Sequence, residues 1–192
     1  MMGHFFEYSD AEHAYYKDGI LVPSVTQILA DAGLLSPFRF NKEAADRGTR
    51  VHELCAQDDA ARLRGRQIPK PLRGYLDAWR LWRMVAGFQP ELSEARVDCD
   101  DPLYAGRLDA VGTRNGQTAY RTIVDIKTGV VGEATGLQLV AYAHALEHGE
   151  VMERIAVQLK PNGTFAIKLW KPADFSIDLY RWLALAREHG QN

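Results

Sequence analysis

The chain has 192 residues, 46% of them hydrophobic and 25% charged, with a formal net charge of −2, so it can bury one substantial core and is not basic overall. Its two cysteines, Cys55 and Cys99, exclude a disulfide framework and a four-cysteine iron–sulfur set. No segment approaches the length of a membrane span, and Met1–Tyr16 lacks a basic start followed by an apolar run, so a soluble, unexported, cytoplasmic protein is expected.

No Pro/Ser-rich linker or internal repeat divides the chain, which predicts a single domain over residues 1–192, made of an extension over 1–38 and a core over 39–192. Phe5-Phe6-Glu7-Tyr8 and Ala14-Tyr15-Tyr16 flank polar turn residues and predict a small N-terminal hairpin. Pro23-Ser24-Val25-Thr26-Gln27-Ile28-Leu29 then opens a helix, with Ser24 as N-cap and Gln27 completing a capping box. The same helix start offers free amides to a phosphate. A second helix is expected from Phe40 through Leu54, with His52 one turn after Gly48; a glycine there lets the helix approach another backbone closely.

Charge is unevenly spread. Residues 39–83 hold eleven Lys/Arg against six Asp/Glu, about +5, while the remainder sums to about −7. This stretch surrounds His52, includes Arg50, and predicts a phosphate-tracking surface. Arg62, Arg64 and Arg66 read equally well as charges that keep an exposed loop solvated. Leu72, Leu76, Trp79, Trp82 and Ala86 mark an amphipathic helix from Leu72 to Gly87, whose tryptophans belong to the core rather than to a base-stacking platform. Glu94 follows on the next strand.

The chemistry concentrates further on. Tyr104–Val111 and Thr122–Lys127 are apolar, β-branched runs separated by Arg114-Asn115-Gly116, which predicts adjacent antiparallel strands with Asp109 and Asp125 side by side. The period of two puts Asp125 and Lys127 on one face while Val124 and Ile126 point into a core. Two close carboxylates repel unless a cation lies between them, and their hard oxygens suit Mg²⁺ or Mn²⁺. Such an ion polarises a phosphate oxygen and lowers the pKa of a bound water, while the Lys127 ammonium can steady that water or the charge developing on phosphorus. Those are the parts of a phosphodiester hydrolase.

Gln138 and Tyr142 stand four apart, hence on one face of a helix expected over Glu133–His148. Val151–Lys160 and Thr164–Trp170 are strands joined through Pro161-Asn162-Gly163, and a helix over about Phe175–His189 closes the chain. The order predicts an α/β fold with a central mixed sheet flanked by helices and a small N-terminal hairpin.

Four pieces, Gly48-x-x-x-His52, Gly106-Arg107-Leu108-Asp109, Asp125-Ile126-Lys127-Thr128-Gly129 and Gln138-x-x-x-Tyr142, follow one another in an order that resembles the RecB-like branch of the PD-(D/E)XK nuclease superfamily, which includes phage-type and mitochondrial genome-maintenance exonucleases. The resemblance covers nearly the whole chain. It implies the restriction-endonuclease-like core and a Mg²⁺- or Mn²⁺-dependent deoxyribonuclease. The activity it implies is that of an exonuclease on DNA ends or single strands in recombination, repair or phage replication. It implies Asp109, Asp125 and the carbonyl of Ile126 as metal ligands, Lys127 serving the attacking water, and His52 as a further ligand or a neighbour of one. Gln138 and Tyr142 would contact the nucleic acid or brace the site. Glu94 matches a glutamate that similar nucleases often carry before this strand pair, although a solvated Glu on an edge strand is the plainer reading. Phage-type members have similar N-terminal segments, which implies phosphate binding at the Ser24 helix start and would account for end selectivity. The expected partners are DNA and a single-strand annealing, helicase or other recombination protein, in a bacterial or phage-infected cell. A flap or other structure-specific endonuclease is the alternative enzyme. An inactive DNA- or protein-binding module on the same fold is the alternative of another class.

Overall fold

The computed structural model describes residues 6–9, 14–35, 42–146 and 153–190, and only the backbone of 117–120. A five-stranded sheet is built from β4 (Phe88–Asp100), β5 (Leu103–Arg114), β6 (Gln117–Lys127), β7 (Glu153–Leu159) and β8 (Phe165–Trp170), in that order across the sheet. All neighbours are antiparallel except β6 and β7, which run parallel because the helix α4 (Ala134–Ala145) carries the chain over between them. The expected mixed sheet flanked by helices is therefore present.

Local chemistry explains the joints. Asn115 and Gly116 connect β5 to β6 with φ of 54° and 67°, the two left-handed residues that a tight primed turn requires. The helix α3 (Lys70–Ala86) stops at Gly87, which takes φ 58° as an αL cap. Its Gly74 is compulsory for another reason: a Cβ there would lie 1.8 Å from the carbonyl oxygen of Pro161, so only glycine lets α3 rest on the β7–β8 connection.

The sheet separates two apolar clusters. On one side α1 (Val25–Asp31), α4 and α5 (Phe175–His189) pack Ile28, Leu139, Val140 and Trp182 against Tyr104, Leu108 and Ile123. On the other, α2 (Lys42–Asp59) and α3 cover Val124, Ile126, Ile155 and Val157 with Val51, Leu76, Trp79 and Trp82. Val124 and Ile126 thus face a core as their alternation predicts, and Trp79 and Trp82 stack on each other at 5.1 Å, both buried. Arg154 of β7 is 0% exposed; its Nη1 donates to the Gly136 carbonyl at 3.2 Å and to Asp178 at 2.7 Å, tying β7, α4 and α5 together.

The N-terminal hairpin becomes a three-stranded antiparallel sheet of β1 (Phe6–Ser9), β2 (Ala14–Lys17) and β3 (Ile20–Val22). Asp18-Gly19, with φ of 51° and 79°, turns β2 into the third strand, which the sequence reading did not include. This sheet is joined to β5 by the isolated parallel bridge of Ser24 and Ala105.

Several expected boundaries shift. Helix α2 continues five residues past Leu54, to Asp59, and β5 and β6 extend to a two-residue turn. Phe5, Arg39, Phe40, Asn41, His148, Val151 and Met152 lie outside the described residues. No described helix is long and apolar enough to cross a membrane.

Candidate metal centre

The site forms where β5 and β6 part. Their last paired rung on this side is Ala110 with Val124; beyond it β6 pairs with β7, and β5 with β4. One position further, the rung that would join Asp109 to Asp125 is replaced by a side chain: Asp109 Oδ2 accepts the backbone N–H of Ile126 at 2.6 Å. The two aspartates are therefore neighbours at the mouth of a fork, as the hairpin reading predicts.

On the β4 side Glu94 has φ 51°, a left-handed conformation that a glutamate rarely adopts. The pleat changes face there. Ser93 points to α2, where it hydrogen-bonds Asp59, whereas Ala95, Val97 and Cys99 pack into the α4 cluster. Leu108 and Ala110 of β5 likewise belong to opposite clusters. This irregularity turns Glu94 inward, with its side chain only 17% exposed. The solvated edge-strand reading of Glu94 is corrected accordingly: β4 is an edge strand, but this residue faces the cluster.

From α2, His52 Nδ1 approaches Asp109 Oδ1 at 3.2 Å and Glu94 Oε1 at 3.5 Å. One ligand atom from each of His52, Glu94 and Asp109 fits within a 4.8 Å span, close enough to hold one cation. Asp125 lies beside this group rather than in it. Its Oδ1 accepts from Lys127 Nζ at 2.7 Å, and its Oδ2 is buried without a hydrogen-bond partner, while Glu94 Oε1 is buried with only the His52 imidazole near it, at 3.5 Å. Buried carboxylate oxygens with no donor call for a cation, and three carboxylates with one imidazole fit a hard divalent ion.

The electrostatics agree. Burial disfavours a charged His52, but the carboxylates of Asp109 and Glu94 outweigh it and raise the imidazole to about 10. Burial also works against ionised Asp109, yet His52, Lys127 and the Ile126 N–H hold it below its ordinary value. Asp125 goes the other way: burial and the Asp109 charge push it up to about 6, against the pull of Lys127. Lys127 is raised by the two aspartates in spite of its burial. Imidazolium and ammonium thus stand in for positive charge that an ion would bring, and an ion that takes His52 must displace its proton.

The α4 residues form a relay behind Lys127. Lys127 Nζ donates to Gln138 Oε1 at 3.3 Å, and Gln138 Nε2 donates to the Tyr142 hydroxyl at 3.2 Å. Tyr142 is buried, and its ring lies on Gly106, where a Cβ would come within 2.6 Å of Cε1. Gly106 is therefore the floor on which Tyr142 rests. Gly48 is less constrained than expected: a Cβ there would meet only the Thr128 hydroxyl, at an ordinary 3.6 Å, and no backbone.

Not every expected residue joins the site. Arg50 is exposed, and two residues from His52 it points to roughly the opposite side of α2. Ser24 acts as a cap, its Oγ accepting the Gln27 N–H at 3.1 Å. Within the basic stretch, Arg80 pairs with Asp58 and Arg83 with Asp59, holding α3 to α2, while Arg62 and Arg64 remain exposed. The sequence reading assigned no role to Arg107, which ion-pairs with Glu94 at 3.0 Å at the border of the cluster. Its place in the Gly106–Asp109 segment, two residues before Asp109, was the available signal.

A family model described as PD-(D/E)XK nuclease superfamily matches residues 29–176, the stretch that holds every residue of the cluster and its relay. No curated protein matches the chain. The solved structure of SSO0001 is similar at 15% identity over 84% of each chain, with a TM-score of 0.32, too low for a shared fold to be read from it.

Proposed function

This chain belongs to the PD-(D/E)XK nuclease superfamily, whose members use divalent metals, and we propose that it is a Mg²⁺- or Mn²⁺-dependent deoxyribonuclease of the RecB-like branch, acting as an exonuclease on DNA ends or single strands. The observation that carries this reading is the convergence of His52, Glu94 and Asp109 within 4.8 Å beside the Asp125–Lys127 pair.

In this reading Asp109 and Asp125 hold the ion, with His52, Glu94 and the carbonyl of Ile126 completing its surroundings. Bound there, the ion would supply Lewis acidity to a phosphate oxygen and acidity to a nearby water. Lys127 would stand beside that water. Its ammonium, kept in place by Asp125 and Gln138, can hold the attacking oxygen and then donate to the negative charge that builds on the phosphoryl oxygens. In the hydrolysis the water oxygen would form the new P–O bond as its proton is lost to solvent, the P–O bond to the leaving deoxyribose oxygen would break, and that oxygen would take up a proton from solvent. Gln138 and Tyr142 are positioning residues: they fix where Lys127 stands without touching the phosphate.

Three facts favour hydrolysis over a binding-only role. The carboxylates, the lysine and its relay are all present, Asp125 Oδ2 is buried without a donor, and Glu94 is held in a strained conformation. Recombination, repair or phage replication, with a helicase or annealing protein as partner, is the setting that the sequence resemblance suggests.

The test is cleavage of end-labelled linear and closed circular DNA, single- and double-stranded, with Mg²⁺, Mn²⁺ or EDTA, comparing wild type with Lys127→Ala. Metal-dependent loss of linear DNA alone, absent in the variant, is expected. Cutting of circles would replace the exonuclease by an endonuclease, and DNA binding without any cleavage would replace both by a binding module.

A further inference from the structure

Next to the Glu94–Asp109 position, and resting on the nuclease reading above, the molecule carries a feature which that reading leaves unused. Strands β4 and β5 place Arg96 directly opposite Arg107, and both are exposed. Like charges facing across a rung are destabilising unless something anionic relieves them. Between this rung and the metal cluster only the Ala95–Leu108 pair intervenes, and it packs inward. The arginines are thus the next outward rung, two residues or about 6.8 Å along the strands, close to the spacing of neighbouring phosphates in a nucleic-acid chain.

The two guanidiniums are held differently. Arg107 leans on Glu94 at 3.0 Å, on the metal side. Arg96 makes no ion pair among the described residues and lies 4.5 Å from the centre of the Tyr8 ring. The Tyr8 ring is in turn 4.9 Å from that of Tyr15 on the neighbouring strand. The N-terminal sheet therefore sets an arginine-backed pair of aromatic rings beside the exit of the cluster. A further rung along, the strand turns acidic at Asp98, so the cationic patch is confined to one phosphate's width.

We infer that Arg96 and Arg107 together bind the phosphate adjoining the one to be hydrolysed, and that Tyr8 and Tyr15 stack the base beside it. The strand lying there is single-stranded, because the face of a paired base is already covered by its neighbours in the duplex.

The experiment is fluorescence anisotropy of a short labelled single-stranded DNA over a range of salt, with Ca²⁺ present to bind without rapid turnover, for wild type, Arg96→Gln, Arg107→Gln, the double variant and Tyr8→Ala. Lys168→Gln on β8, remote from the cluster, is the control for loss of charge, and circular dichroism checks that each variant is folded. Losing one phosphate contact shared by the arginines should lower the slope of log affinity against log salt by about 0.7 in the double variant. Tyr8→Ala should weaken binding roughly tenfold at unchanged slope and spare a blunt duplex. Wild-type slope and affinity in the double variant, with DNA cleavage intact, would overturn this inference while leaving the nuclease. A wild type that neither binds nor cuts any DNA would overturn both.

Discussion

Asp109 accepts a hydrogen bond from the Ile126 N–H at 2.6 Å and so ends, with its own carboxylate, the ladder between β5 and β6. One residue thereby does two tasks, closing a backbone hydrogen bond with Oδ2 and facing His52 with Oδ1. The two can be separated. Asp109→Asn keeps an oxygen for the Ile126 N–H and loses the charge, so it should stay folded and lose cleavage. Asp109→Ala also strands a buried donor and should lower stability by a further 1–3 kcal/mol or so, readable by urea unfolding in EDTA.

Lys127→Ala should reduce the cleavage rate by roughly 100- to 1000-fold, the range for removing one group that steadies developing charge. It also leaves Asp125 buried beside Asp109 without its cation. Because Asp125 is already pushed up to about 6, it can escape by taking up a proton. The loss of stability should therefore be larger at pH 8 than at pH 5, measured by thermal melting without metal.

Gly106→Ala and Gly48→Ala should act in opposite directions. At Gly106 the new methyl would lie 2.6 Å from the buried Tyr142 ring, so the ring must move and the relay to Gln138 and Lys127 moves with it. A cost of about 1–3 kcal/mol and a fall in kcat are expected. At Gly48, inside α2, the methyl meets nothing closer than 3.6 Å, and alanine should stabilise the helix by roughly 0.5–1 kcal/mol.

His52 gives the metal-free protein a pH dependence of definite sign. Its imidazole, ordinarily near 6.5, is raised to about 10 in the fold. The protonated form is thus favoured by folding. Its contribution is complete below about pH 6.5 and is lost as pH rises through about 10. Asp125, raised from 3.8 to about 6, has completed its own change below neutrality. Between pH 7 and 10 in EDTA, the melting temperature of the wild type should therefore fall more steeply than that of His52→Gln. Adding Mn²⁺ at pH 8 should raise the wild-type value and release protons, measurable as a buffer-dependent heat.

How much of this could be read from residue types depended on how local the cause was. The Asn115-Gly116 turn, the Ser24 cap and the alternation around Asp125 are short-range, and they lead directly to the two aspartates and the lysine at one fork. Asp18-Gly19 is the same kind of signal, overlooked because the strand it starts is only three residues long. Glu94 was of another kind. Its neighbours read as a solvated edge, and what turns it inward is a left-handed backbone and a change of face in the pleat, neither of which a pattern of polar and apolar residues announces. The Arg96–Arg107 rung needs the register of two strands, which is set by a bulge between Pro90 and Leu92. A charge count over residues 39–83 cannot show that Arg80 and Arg83 face acids of the preceding helix while Arg62 and Arg64 stay exposed.

The guanidinium of Arg154 reaches the carbonyl of Gly136, two residues before Gln138, and is neutralised by Asp178 of the last helix. That helix is therefore more than an apolar lid over α4. Replacing Asp178 by alanine would leave the Arg154 charge buried against the first turn of α4 with only a carbonyl to meet it, and loosening of that turn is the nearest relief. The C-terminal segment, which contributes no side chain to the fork, would in this way govern how firmly Gln138 can hold Lys127.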